Sequence, residues 1–242
     1  MKLAGIDLAW VSGRNPSAIA IGHLEKDRLR LERLEHGVFG VDGLVELMRS
    51  SDDIKGVAVD ASLIINNPSG QRRCERELAR VYASRGAACH ASNLKLYPDP
   101  DSVSLSRRLQ ALGFRHLSGE RWQIECYPHP ALIELFALPK RLAYKKGKVD
   151  QRRAGQIQLA EMIKGLSGNA RLKLEIPQHL MQHLSPVSIS EFRGKALKAN
   201  EDKLDAMVCL YIAGLFAMDA PGRLFGDASD GYIWVPLSQS DA

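Results

Sequence analysis

Four places in this sequence put carboxylates where an ordinary core would not tolerate them. The opening run Lys2-Leu3-Ala4-Gly5-Ile6-Asp7-Leu8-Ala9-Trp10 reads as a buried strand interrupted by Asp7. Asp is depleted in strands, and a buried carboxylate is costly unless it is paired, hydrogen-bonded or bound to a metal. Gly56-Val57-Ala58-Val59-Asp60-Ala61-Ser62 repeats the pattern, with Asp60 at the strand tip. Glu125 ends a third apolar run, Trp122 to Tyr127, just before Pro128. Near the far end, Glu201-Asp202-Lys203-Leu204-Asp205 opens an apolar helix, and Asp202 and Asp205 are three apart, so both can face one way. Brought together, these side chains would form an all-oxygen cluster suited to hard divalent cations, Mg2+ or Mn2+.

The elements that must position them follow from periodicity. Ser17 to Leu24 is a second strand. Leu29-Arg30-Leu31-Glu32-Arg33-Leu34 alternates apolar and charged residues, the mark of a half-exposed strand at a sheet edge. An antiparallel meander is therefore expected first. A short amphipathic helix over Val41–Arg49 then leads to the Asp60 strand, and a strand after a helical crossover runs parallel to its neighbour. Further helices are expected over Arg72–Ser84, Ser102–Leu112, Ala131–Phe136, Gln151–Leu166, Ser188–Leu197 and Asp202–Met218. Strands are expected around Ala88–His90, at Trp122–Tyr127 and at Gly231–Pro236. In this reading Asp202 sits at a helix start, where negative charge is favoured.

The 242 residues are 45% hydrophobic and 25% charged, enough for a substantial core, and without repeats or a linker they predict one domain over residues 1–242. The net charge of +5 permits a polyanionic partner without requiring one. The four cysteines are widely spaced, with no C-x-x-C pair, and read as reduced core thiols. With no secretory signal and no apolar stretch long enough for a span, the expectation is a cytoplasmic protein without a membrane segment. Two basic groups, Arg72/Arg73/Arg76 with Arg80 and Lys145/Lys146 with Lys148, offer contacts to phosphates if they are not simply solvated surface.

This order of elements resembles the ribonuclease H-like fold, an α/β mixed sheet of three antiparallel strands followed by parallel strands and flanked by helices. Gly5-Ile6-Asp7 looks like the first metal-binding strand of that fold, and Asp202-x-x-Asp205-Ala206 like the terminal acidic helix of its resolvase branch. More specifically, the chain resembles the domain of unknown function 429 family (DUF429), described as predicted nucleases. The matching segments are Gly5 to Trp10, Val59-Asp60-Ala61, Arg73 to Leu78, Glu125 to Pro130, Tyr144-Lys145-Lys146 and Asp202 to Ala206. The chain departs from the family at Ser62, where Pro often follows Ala.

The resemblance implies a metal-dependent nuclease. Asp7, Asp60, Glu125, Asp202 and Asp205 would be the catalytic carboxylates, with Asp7, Asp60 and Asp205 as metal ligands. Two ions about 3.5–4 Å apart would clamp the attacking water and the leaving oxygen of a phosphodiester. The partner would be DNA or RNA, bound through Arg72, Arg73, Arg76, Lys145 and Lys146. Each acidic residue also has a structural explanation: Asp60 as a turn residue, Asp202 as a helix cap, Glu125 as the partner of an arginine from the 72–80 helix. His129, between two prolines, reads more readily as a core or capping histidine than as a catalyst. Two other functions compete. One is an actin-like ATPase or phosphotransferase, which shares the acidic first strand but needs Gly-rich phosphate hairpins that are missing here. The other is a non-catalytic binding protein of the same fold.

Overall fold

A computed structural model describes residues 1–51 and 53–238 of the chain. Strands β1 (Lys2–Asp7), β2 (Ser17–Glu25) and β3 (Arg28–Gly37) form the expected antiparallel meander. Helix α1 (Gly40–Arg49) crosses over to β4 (Ile54–Asp60), which lies parallel to β1. Then follow α2 (Arg73–Tyr82), α3 (Asp101–Ala111), β5 (Phe114–His116), β6 (Arg121–Glu125), α4 (Pro128–Leu135) and α5 (Val149–Gly165). The chain continues through β7 (Lys173–Glu175), α6 (Pro186–Glu191), α7 (Gly194–Ala217), β8 (Gly222–Asp227) and β9 (Gly231–Pro236). The main sheet has the order β5-β6-β4-β1-β2-β3-β7, and β8 and β9 form a separate hairpin. A meander continued by parallel strands on the β1 side is the ribonuclease H-like arrangement.

Strand alternation sorts the core into two layers. Ala4 and Ile6 of β1, with Val57 and Val59 of β4, pack against α1 and α3 through Leu44, Val45, Leu105 and Leu109. Leu3 of β1, Ala58 of β4 and Ile124 of β6 face the other way, onto α7, α5 and α4. By the same period of two, Asp7 and Asp60 fall on the α7 side, whereas Glu125 falls on the opposite side from Ile124. Gly5 lets α7 approach: a Cβ there would lie 2.0 Å from the Leu210 backbone nitrogen and 2.4 Å from the Ala206 carbonyl oxygen. Helix backbone thus rests directly on strand backbone, which fixes where α7 delivers its side chains.

Several expectations are corrected. The opening strand ends at Asp7 and leaves Trp10 in a loop. No regular strand forms at Ala88–His90. The third strand is not the sheet edge, because β7 adds in parallel over Arg28–Arg30. Helix α4 starts at Pro128 rather than Ala131, since a proline in the first turn removes only an N–H that has no helical partner. Helix α7 starts at Gly194, eight positions before Asp202, so Asp202 is an interior helical residue and not a cap. Cys74, Cys126 and Cys209 are buried free thiols and Cys89 is half-buried. No described helix is long and apolar enough to cross a membrane.

Candidate metal centre

The parallel register sets Asp7 of β1 directly beside Asp60 of β4, so two adjacent strand ends present carboxylates at one level. Asp205 reaches the same place from α7, which Gly5 holds against β1. One oxygen from each of Asp7, Asp60 and Asp205 lies within 4.8 Å of the other two. Asp205 is fully buried, and Asp7 and Asp60 are half-buried at the floor of a cleft of about 490 Å3. The cleft is also lined by Trp10, Ser62, Tyr127, Lys145, Lys198 and Asp202.

Electrostatics show how unusual this grouping is. Loss of solvent and the neighbouring charge of Asp205 push the Asp7 carboxyl well above the usual carboxylate range. Burial likewise raises Asp60, to about 6, even though Lys145 pulls the other way. Lys145, expected among surface phosphate contacts, instead places its ammonium 2.7 Å from Asp205 Oδ2 and 3.7 Å from Asp60 Oδ2. Burial disfavours the Lys145 charge, but Asp205 outweighs it and holds the amine firmly protonated. Tyr144 donates its hydroxyl to Asp205 Oδ1 at 2.6 Å, so the Asp205 carboxylate is gripped from both sides.

Asp202 sits one turn before Asp205 on α7. It accepts from Lys198 at 2.8 Å and contacts His36 Nε2 at 3.1 Å. Burial works against its charge, and these two partners overcome it and hold Asp202 below the usual range. Neither His36 nor Lys198 was marked by the sequence; only the position of β3 beside α7 brings His36 there.

Glu125 is not part of this cluster. Facing the opposite side of β6, it accepts Arg72 Nη1 at 2.9 Å and Nη2 at 2.5 Å, and the Leu63 amide at 2.9 Å. Arg72 is 2% exposed and also pairs with the buried Glu75 at 2.9 Å, so it belongs to the interior and not to a solvated basic face. Burial opposes its charge, but Glu125 dominates and keeps the guanidinium protonated. Arg73 and Arg76 are exposed. Arg73 is paired with Glu77 and Asp227, and Arg76 donates to the Gln71 carbonyl. Lys146 is exposed. Ser62 is buried, its Oγ 2.8 Å from that of Ser92.

His129 is a core histidine in the first turn of α4, 5.3 Å from the Tyr144 ring and edge-on to Tyr127. Burial, then the charges of Lys145, Arg141 and Lys146, lower it to about 3. Its folded value lies below the unfolded value near 6.5, so the unfolded chain binds the extra proton. Stability from this residue is complete above about pH 6.5 and falls as pH drops from there towards 3. At pH 5 the loss should be about 2 kcal/mol. Urea melts of wild type and His129→Phe at pH 7.5 and 5.0 check this; an unchanged acid slope in the variant would refute it.

The strand order is that of a ribonuclease H-like fold, and a carboxylate cluster lies at the ends of two adjacent strands, β1 and β4. The chain belongs to the DUF429 family, described as protein of unknown function, which matches residues 5–230. Among solved structures it is similar to the Fowlpox virus resolvase in complex with its substrate Holliday junction DNA. The identity is 12%, over 90% of this chain and 97% of that chain, with a TM-score of 0.37. No curated protein matches the chain.

Proposed function

We propose that the protein is a metal-dependent phosphodiesterase acting on nucleic acid, with Asp7, Asp60 and Asp205 holding Mg2+ or Mn2+. The observation that carries this reading is the convergence of those three carboxylates within 4.8 Å, Asp7 and Asp60 lining the cleft and Asp205 buried against them. The donor set fits the ions: every ligand is a hard oxygen, and one ammonium faces several carboxylates that partial burial leaves poorly solvated. When bound, such ions supply an activated water and stabilise charge on the leaving oxygen. Asp7 stands beside Asp60 in the sheet and feels the charges of Asp205, Asp60 and Asp202, so it would be a principal ligand of the bound metal. Asp202, anchored by His36 and Lys198, would support Asp7 or complete a second ion's sphere. Tyr144 fixes the orientation of Asp205. Glu125, locked to Arg72, braces the cleft floor and contributes no ligand. Manganese titration calorimetry, with cleavage of single- and double-stranded DNA and RNA and ATP hydrolysis run alongside, tests the reading. Absence of both manganese binding and cleavage would overturn it.

Lys145 gives a second test. In the metal-free protein its ammonium is the cation that the carboxylates share, so Lys145→Met should destabilise that state. Loss of one partner of a buried pair costs about 3–5 kcal/mol, and the partial exposure of Lys145 places the cost below that range. Manganese should then raise the melting temperature of Lys145→Met more than that of wild type, because no ammonium has to leave. Equal metal-free melting of the two proteins would show that Lys145 does not neutralise the cluster.

A further inference from the structure

Four of the nine large hydrophobic side chains left exposed among the described residues sit on two joined loops, and one of them, Trp10, lines the carboxylate cleft. Trp10, Val11, Leu94 and Leu96 are large hydrophobic side chains left exposed on two loops, one after β1 and one before α3. The loops are joined by a parallel stack of Trp10 on Tyr97, with ring centroids 4.3 Å apart and planes inclined by 17°. Despite that stack, Trp10 keeps 45% of its surface accessible, and it lines the same cleft as Asp7, Asp60 and Lys145.

The platform is held in place from below. The buried Ser12 donates both its amide and its hydroxyl to Asp101 Oδ2, at 2.6 and 2.8 Å. The buried Asn93 accepts the Leu96 amide through its side chain and the Tyr97 amide through its carbonyl, both at 2.9 Å. An aromatic pair fixed in this way loses little conformational freedom when a flat ligand settles on it. Two cations are available for a phosphate: Arg14 and Lys95, one on each loop, are exposed, and neither side chain makes an ion pair among the described residues.

Resting on the phosphodiesterase reading, we infer that the Trp10–Tyr97 pair is a stacking platform for an unpaired nucleobase, next to the phosphate handled by the carboxylates. A flat π-face takes any base, which suits recognition without sequence preference. A base inside a duplex is covered by its neighbours and reaches such a face only after leaving the stack. The substrate class is therefore single-stranded nucleic acid, or a strand with unpaired nucleotides at the cleavage point.

Tryptophan emission reads this directly, because Trp122 and Trp234 are buried at 6% and 7% exposure. In EDTA, a mixed-sequence single-stranded oligonucleotide should quench the emission saturably, and the matching duplex should quench it far less. Trp10→Phe should lose the quenching but bind an end-labelled single strand within a few-fold of wild type. Trp10→Ala should weaken that binding roughly tenfold or more, and Tyr97→Ala by an intermediate factor, with circular dichroism unchanged in each. Binding without quenching, equal quenching by duplex, or no binding would overturn the platform. So would a dimer that Trp10→Ala dissolves, which would assign the patch to self-association. The two readings separate cleanly. Quenching in EDTA with no cleavage in manganese leaves the platform and removes the phosphodiesterase. Manganese-dependent cleavage with a silent Trp10 does the reverse.

Discussion

Arg72→Met should destabilise the protein by about 3–5 kcal/mol, a large share of the 5–15 kcal/mol that holds a typical domain together. The variant leaves Glu125 and Glu75 buried without their shared cation. Arg72→Lys should rescue little, because a single ammonium cannot reproduce the fork that spans both oxygens of Glu125. Arg73→Ala and Arg76→Ala, on the exposed face of α2, which Arg72 precedes, should stay within about 0.5 kcal/mol of wild type. Urea denaturation of the four variants decides it. Full stability of Arg72→Met, combined with lost nucleic-acid affinity, would return Arg72 to the surface role that its helical spacing alone suggests.

The second large effect is catalytic. Asp7→Asn should abolish manganese-dependent cleavage. Loss of an outer-shell partner typically costs about 10–100-fold, and a carboxylate of the cluster itself should cost more. Stability should move the other way. Asparagine resembles the protonated carboxyl, the form that partial burial and Asp205 favour at Asp7, so the variant should melt at the same or a higher temperature without metal. Manganese should stabilise wild type and not the variant. Normal cleavage by the variant would remove Asp7 from the chemistry, and a variant that unfolds would assign Asp7 to the fold.

These predictions divide along what the sequence could express. Asp7, Asp60 and Asp205 were legible because each interrupts an apolar run, where a charge needs a reason. Their convergence rests on strand register and on Gly5, and the order of elements was enough to expect it. Glu125 has the same local signature and lines the same cleft, yet it is tied to Arg72 and does not join the three carboxylates. Counting alternation from Ile124 puts it on the opposite face of the sheet from Asp60, a parity that the run by itself does not anchor to either layer. Arg72 was misjudged because helical spacing shows which side of a helix a residue takes, not which carboxylate waits across the fold. Asp202 was misplaced because Glu201-Asp202 imitates a helix start, while the true start at Gly194 carries no Ser, Thr, Asp or Asn before it. Strands β5 and β7 have three residues each, too few for any period to show. Lys145 and the Trp10–Tyr97 stack depend on loops whose paths only the packed structure defines.

The seating of α7 on Gly5 also has a meaning in time. Asp7 is made 198 residues before Asp205. At roughly 5–20 residues per second, the nascent chain spends on the order of ten seconds or more with β1, β4 and their carboxylates made and no α7 to complete the cluster. The unfinished polypeptide therefore has only part of the site while it is surrounded by messenger and ribosomal RNA. The three carboxylates can come together only after α7 has been made and has docked against β1.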